Sequence, residues 1–209
     1  IATILETVAR DQPRGWSPLV YCWRGGKRSE SLAHVLNEIG FPAVRLEGGY
    51  RTWRRHVVAR LATLPGEFRY RVVCGVTGSG KSRLLAALAA EGAQVLDLEG
   101  LAQHRGSLLG DLPGAPQPSQ KAFETAIHEA YGRLDPRRRV WVESESRKIG
   151  ALQVPDALLA RMREARCVLL GLPTAARIAL LKEEYAHFLA DPAALAARLA
   201  HLKALHGQA

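Results

Sequence analysis

Apolar positions in the first 64 residues form short runs between polar, glycine-rich turns, and then a second, longer pattern begins. Residues 2–10 carry apolar side chains at helical spacing. Pro18-Leu19-Val20-Tyr21 reads as a short buried strand. A helix is predicted from Ser29 as its cap to about Asn37, ended by Gly40. Ala43-Val44-Arg45-Leu46 reads as another strand, and Gly48-Gly49 turns the chain into an amphipathic helix carrying Trp53, Val57, Val58 and Leu61. Leu64-Pro65-Gly66 is the expected domain boundary. Beyond it, residues 69–74 predict a strand, 75–80 a glycine loop and 81–91 a helix. A second strand is expected at 93–97, a Gly-, Pro- and Ser-rich loop at 105–118 and a helix from Ser119 to Gly132. Further strands are expected at 139–143 and 166–170. Strands alternating with helices imply an α/β fold with a parallel sheet covered on both faces. From Thr174 the chain is rich in Ala and Leu and predicts two packing helices, or a helix that docks RNA or a partner, broken near Asp191-Pro192.

Charge adds a partner to this picture. Lys plus Arg number 29 against 20 Asp plus Glu, a formal net charge of +9. Such an excess favours a polyanion such as RNA. The three cysteines have no metal-ligand spacing and no disulfide framework. Cys74 and Cys167 fall in short apolar runs and are expected to be inert core thiols. Free thiols suit a reducing, cytoplasmic setting. No signal peptide is visible, and no apolar run approaches the roughly 18 residues needed to span a bilayer.

Gly75-Val76-Thr77-Gly78-Ser79-Gly80-Lys81-Ser82 has the phosphate-loop pattern Gly-x4-Gly-Lys-Ser between a predicted strand and a predicted helix. Glycines let backbone N–H groups converge on phosphate oxygens, Lys81 adds a charge, and Ser82 can ligate Mg²⁺. An acid ending a neighbouring strand should complete the site. Glu143 fits, with Glu145 and Arg147 following. Ser82 and Glu143 are therefore the candidate Mg²⁺ ligands, and the alternative for either acid is a strand-end ion pair with Arg147. His104 and Arg105 are candidates for a lid over a bound diphosphate, or are solvent-facing loop residues. The remaining histidines, 34, 56, 128, 187, 201 and 206, fall on helical patterns and read as surface or packing residues.

Cys22 leaves a strand into Trp23-Arg24-Gly25-Gly26-Lys27-Arg28-Ser29. Three cations, two glycines and a following helix N-terminus favour a thiolate or a bound anion. This loop resembles that of rhodanese sulfurtransferases, where a strand-end cysteine in a backbone N–H cradle carries transferable sulfur. Leu46-Glu47-Gly48-Gly49-Tyr50-Arg51-Thr52-Trp53 is similar to the rhodanese segment after the next strand. Only 21 residues precede Cys22, so the first strands of such a domain are expected to be missing.

A rhodanese-like domain joined directly to a phosphate-loop domain resembles the tRNA 2-selenouridine synthase family. The likeness extends to His104-Arg105-Gly106-Ser107, to Gln117-Pro118-Ser119-Gln120 with Phe123-Glu124, and to the run from Val140 to Gly150. It implies a partial rhodanese-like domain at 1–64, a P-loop NTPase-like parallel-sheet domain at 65–173 and a helical tail at 174–209 packed on it. It also implies a transferase acting on tRNA, which converts wobble 2-thiouridine to 2-selenouridine through an S-geranylated intermediate. Geranyl diphosphate and selenophosphate would be co-substrates, with a selenophosphate source as a further partner. The resemblance implies no permanent cofactor beyond Mg²⁺ and no membrane association. Residues 75–82 then hold a diphosphate, Cys22 relays selenium, and residues 24–29 bind selenophosphate. Trp141, Leu108, Leu109 and Leu112 are candidates for an apolar prenyl slot, or are plain core and loop anchors. Two other readings stay open: a P-loop kinase or ATPase fused to a sulfurtransferase-like domain, and a non-catalytic RNA- or phosphate-binding module.

Overall fold

A computed structural model describes residues 2–107, 109–112, 114–186 and 196. The expectations for Leu108, for the histidines at 187, 201 and 206 and for the break at Asp191-Pro192 lie outside the described residues. The chain divides into two compact units, residues 1–59 and 60–209. The division comes earlier than the expected boundary at 64–66. Leu64 and Pro65 are buried in a 3-10 turn, Leu64–Glu67, that belongs to the second unit.

The first unit is thinly cored. Helix α1 spans Ala2–Ala9, strand β1 Leu19–Val20, helix α2 Lys27–Glu38, strand β2 Val44–Arg45 and helix α3 Gly49–Thr63. β1 and β2 pair in parallel, Leu19 beside Val44. Val20, Ala33 and Leu36 are buried, with Leu5, Trp16, Leu32 and Phe41 partly buried around them. Trp16 meets Phe41 edge-on at 5.5 Å. The strand expected to be buried is only half so: Val20 is inside, whereas Leu19 and Tyr21 are each 58% exposed. On α3, Val57 is fully buried and Val58 lies exposed. α2 starts two residues before the expected cap, because Gly26 takes the capping position and Ser29 sits inside the first turn.

The second unit is built on a four-stranded parallel sheet. Its strands are β3 (Arg69–Cys74), β4 (Gln94–Val95), β5 (Arg139–Glu143) and β8 (Arg166–Leu169), in the order β4-β5-β3-β8. Val72, Val73, Val140 and Val142 are buried, giving the apolar runs of strands covered on both faces. Helices α4 (Lys81–Ala90), α5 (Leu98–Ala102), α6 (Gln120–Tyr131), α7 (Asp156–Glu164) and α8 (Thr174–Glu184) accompany the sheet. α6 buries Phe123, Ile127 and Tyr131, a stripe at i, i+4 and i+8. The Tyr131 hydroxyl lies 2.6 Å from that of Tyr70, which is also within hydrogen-bond reach of the Pro65 carbonyl, so this polar pair is satisfied inside the core. A small antiparallel hairpin, β6 (Lys148–Ile149) and β7 (Leu152–Gln153), turns at Gly150, whose φ is +58°. Periodicity gives no sign of it, because each strand is only two residues long.

One expectation about the cysteines is overturned. Cys74 and Cys167 form a disulfide between β3 and β8, with 6.1 Å between their Cα atoms. The parallel register, which sets Val72 beside Cys167 and Cys74 beside Leu169, brings them together on one sheet face. Cys167 is exposed rather than in the core. The free-thiol argument for a reducing compartment therefore rests on Cys22 alone. Among the described residues, no helix is long and apolar enough to cross a membrane.

Candidate functional site

β3 ends at the centre of its sheet, and the chain turns there through residues 75–80 into α4. Gly78 and Gly80 hold φ of +75° and +85°, a region that β-carbon-bearing residues avoid. Gly75 is needed for packing: a Cβ there would fall 2.4 Å from Ser79 Oγ and 2.7 Å from the Leu170 carbonyl. The Lys81 ammonium donates to the Gly75 carbonyl at 3.0 Å. Ser79 Oγ is buried without a partner. The whole loop, Gly75 to Ser82, lines a pocket of about 650 Å³. Loop N–H groups, the start of a ten-residue helix and Lys81 are the groups suited to receive an anion there.

Acids form the opposite wall. Glu99 joins two elements: one carboxylate oxygen accepts from Ser82 Oγ at 2.7 Å, the other from the Gly106 N–H at 2.7 Å. The Glu99 N–H itself donates to Glu143 Oε1 at 2.8 Å. Glu143 is 1% exposed and its second oxygen has no partner. Burial, with smaller contributions from the charges of Asp97 and Glu99, pushes its carboxyl up to about 8. Glu145 lines the pocket, and burial followed by the charge of Glu99 pushes it up to about 7, against the pull of Lys81. Glu143 and Glu145 thus favour the neutral form until a cation compensates them.

These positions revise the expected pairing of Ser82 with Glu143. The two do not meet; Glu99 occupies the position beside Ser82, and Glu143 supports Glu99 from beneath. No group of three or more His, Cys, Asp or Glu with metal-site geometry exists among the described residues. Ser82 and Glu99, with Glu145 in the same pocket, are the oxygen donors suited to a phosphate-bound Mg²⁺, which shares its ligands with phosphate and water. Arg147 lies outside the pocket lining and pairs with Asp156 at 3.2 Å. His104 and Arg105 both line the pocket. His104 is 5% exposed, its Nε2 3.4 Å from Asp111. Arg105 reaches α8, donating to the Glu184 carbonyl and lying 5.3 Å over the Tyr185 ring. Of the expected prenyl slot only Leu112 lines the pocket; Trp141 and Leu109 do not. Sequence reasoning misses Glu99 and Tyr185. A signal for Glu99 is present, since Asp97-Leu98-Glu99 follows a predicted strand as Glu143-Ser144-Glu145 follows another.

In the first unit, Cys22 stands at the end of β1, half-buried. Its sulfur lies 3.3 Å from Ser29 Oγ, and Ser29 is 2% exposed. The Ser29 hydroxyl, then the N–H groups of Ser29, Arg24 and Gly26, lower the thiol to about 6 against partial desolvation. The three cations invoked from sequence are not the cause. Arg24, Lys27 and Arg28 line a pocket beside Cys22, but the hydroxyl and the backbone are what lower the thiol. The loop is held from behind by the start of α3: the Tyr50 and Arg51 N–H groups donate to the carbonyls of Cys22 and Trp23. Gly25 and Gly49, both at positive φ, make this possible, since a Cβ on Gly49 would sit 2.1 Å from the Cys22 carbonyl. Trp23 stacks on Tyr50 at 5.3 Å. A thiolate in an N–H cradle is a competent soft nucleophile at neutral pH.

The family model described as the tRNA 2-selenouridine synthase AAA domain matches residues 68–203. Proteins named tRNA 2-selenouridine synthase resemble the chain: one from Aeromonas salmonicida is 38% identical over 86% of this chain and 47% of its own. Another, from Hydrogenovibrio crunogenus, is 37% identical over 80% of this chain and 47% of its own. A third, from Nitrosomonas europaea, is 34% identical over 80% and 44%. The chain spans about half the length of the curated relatives it matches. No solved structure matches. The family model takes in the phosphate loop, the acid wall and α8, and the Aeromonas likeness is longer than the second unit alone, so it reaches into the unit that carries Cys22. On both counts the chain belongs to the tRNA 2-selenouridine synthase family.

Proposed function

We propose that this chain carries the chemistry that turns wobble 2-thiouridine of tRNA into 2-selenouridine, through an S-geranylated intermediate, with geranyl diphosphate and selenophosphate as co-substrates. One observation supports the reading: a phosphate-loop motif lines a pocket that acids share, and a thiol lowered to about 6 sits in a backbone cradle. In the first step the loop N–H groups and Lys81 hold the diphosphate. The thiouridine sulfur attacks the first prenyl carbon, the C–O bond breaks, and charge building on pyrophosphate is met by donors already in place. Ser82 and Glu99 would hold an accompanying Mg²⁺, which screens that charge. The prenyl chain would run along Val76 and Leu112, the apolar members of the lining. In the second step the selenium of selenophosphate, delivered from the Cys22 loop, attacks C2 of the geranylated base, geranylthiol leaves, and water then cleaves the Se–P bond to release phosphate; Cys22 and its N–H cradle serve the selenium donor in that delivery.

An RNA partner is supported by the sheet. Arg69 stands beside Arg139, and Arg71 beside Arg166, all four on one face by register. Like charges directly opposite one another repel. A phosphate backbone laid across them would relieve that repulsion.

The test is mass spectrometry of nucleosides from 2-thiouridine tRNA after geranyl diphosphate and then selenophosphate. Cys22→Ala should form geranylated thiouridine and stop there. Lys81→Ala should fail at the prenyl step, since it removes a charge-assisted hydrogen bond worth about 1.5–3 kcal/mol. Sustained ATP hydrolysis with no geranylation would instead favour a kinase or ATPase.

A further inference from the structure

Helix α8 lies over the phosphate loop, and its contacts are specific. Gly78 sits beneath Leu181, so closely that a Cβ would fall 2.7 Å from that side chain. The Arg177 guanidinium donates through Nη2 to the Thr77 carbonyl at 3.1 Å. Its Nε is buried with no partner. At the far end of the helix, Tyr185 OH is 2.6 Å from Ser107 Oγ, and the Glu184 carbonyl accepts from Arg105. Glu184 and Tyr185 line the same pocket as the loop.

A trans peptide sets its C=O and N–H antiparallel. Holding the Thr77 carbonyl toward α8 therefore turns the Gly78 N–H the other way. Lys81 does the matching task at the start of the loop, where it holds the Gly75 carbonyl. With both carbonyls engaged, the loop offers its N–H groups instead of its oxygens. An unconstrained glycine peptide flips readily, and a flipped Thr77–Gly78 peptide would present a carbonyl to an anion and repel it.

We propose that Arg177 is a positioning residue of the diphosphate site, fixing the Thr77–Gly78 peptide so that the Gly78 N–H points at the ligand and adding a positive charge beside the loop. This rests on the diphosphate reading of the phosphate loop given above.

The probe is inorganic pyrophosphate with MgCl₂, titrated calorimetrically into the full chain. Arg177→Ala should weaken binding about tenfold or more, the effect of losing a hydrogen bond from a charged donor. Arg177→Lys, which keeps charge and a donor, should recover most of the affinity. Glu183→Gln breaks an exposed ion pair between α8 and Arg83 at 2.9 Å and should leave affinity unchanged. The readout that separates positioning from mere stability is the Gly78 amide proton in a ¹⁵N-glycine sample. Pyrophosphate should move it downfield in the wild type and leave it in place in Arg177→Ala, while Gly80 responds in both. Unchanged affinity in Arg177→Ala, an equal loss in Glu183→Gln, or a preserved Gly78 shift would each overturn the assignment. Wild-type protein that binds no pyrophosphate removes the diphosphate reading itself, and this assignment with it.

Discussion

The cysteine loop and the phosphate loop share a local design, strand to glycine-rich turn to helix N-terminus, and differ in what surrounds them. The first leaves a two-residue strand beside a core of three buried residues. The second leaves the central strand of a four-stranded sheet and lies under α8. The cysteine loop gets its field from one hydroxyl and a ring of backbone N–H groups, so it favours the charged sulfur. The phosphate pocket is lined by the half-buried Glu145, with the buried Glu143 beneath Glu99, and the environment of both favours the neutral form. At neutral pH the first therefore favours its charged form, and Glu143 and Glu145 in the second favour their neutral form. Similar backbone geometry sets where an anion sits; the second layer of side chains sets which state the site prefers.

The largest effect should come from breaking the first half of that contrast. Ser29→Ala removes the largest cause of the lowered Cys22 thiol while leaving the cations in place. Iodoacetamide alkylation at pH 6 should slow about tenfold or more, because thiolate is the reacting species. The readout is clean, since Cys74 and Cys167 are joined to each other. An unchanged rate would return the credit to Arg24, Lys27 and Arg28.

That substitution also marks where sequence reasoning stops. The glycines, Lys81 and Cys22 are legible because their motifs are local and their chemistry is encoded in spacing. The sheet strands at 69–74 and 139–143 are legible as apolar runs. Ser29 reads as a helix cap from sequence, because choosing between capping and facing the sulfur depends on where the helix starts, a difference of two residues. Glu99 escapes notice because it meets Ser82 across 17 positions of chain, and Arg177 because it meets Thr77 across 100. The disulfide requires the parallel register of β3 and β8, which no periodicity reveals.

The second half of the contrast appears as opposite pH dependences. The Cys22 thiol is lowered on folding, so its contribution is present above the usual thiol range and lost as pH falls through about 6. Glu143 and Glu145 are raised, so their contribution is fully present below the usual carboxylate range and lost as pH rises through about 8 and about 7, respectively. Trp141 is the sequence's single tryptophan in the second unit and reports its melting. By its fluorescence, Tm should fall by on the order of 5 °C between pH 5.5 and 8.5. Glu143→Gln should flatten the upper part of that fall. A Tm that rises over this interval in the wild type would show that the acid wall is already compensated without added cations.

The smallest effect concerns the cations that neither site uses for its own field. Arg24, Lys27 and Arg28 line a pocket beside Cys22, whereas Arg139 and Arg166 stand in register with Arg69 and Arg71 on one face of the second unit's sheet. Arginines repelling one another across strands are poorly placed for the sheet and well placed for consecutive phosphates. Arg139→Ala with Arg166→Ala should weaken binding of 2-thiouridine tRNA several-fold and lower the slope of log affinity against log salt by about 2, roughly one for each phosphate no longer neutralised. Pyrophosphate affinity should not change in the double variant, because both residues lie outside the phosphate pocket. If the slope is unaltered there and falls instead in an Arg24→Ala, Lys27→Ala variant, the RNA backbone lies on the sulfur unit. The comparison would then be reversed: the thinly cored unit would hold the polymer, and the sheet unit only the diphosphate.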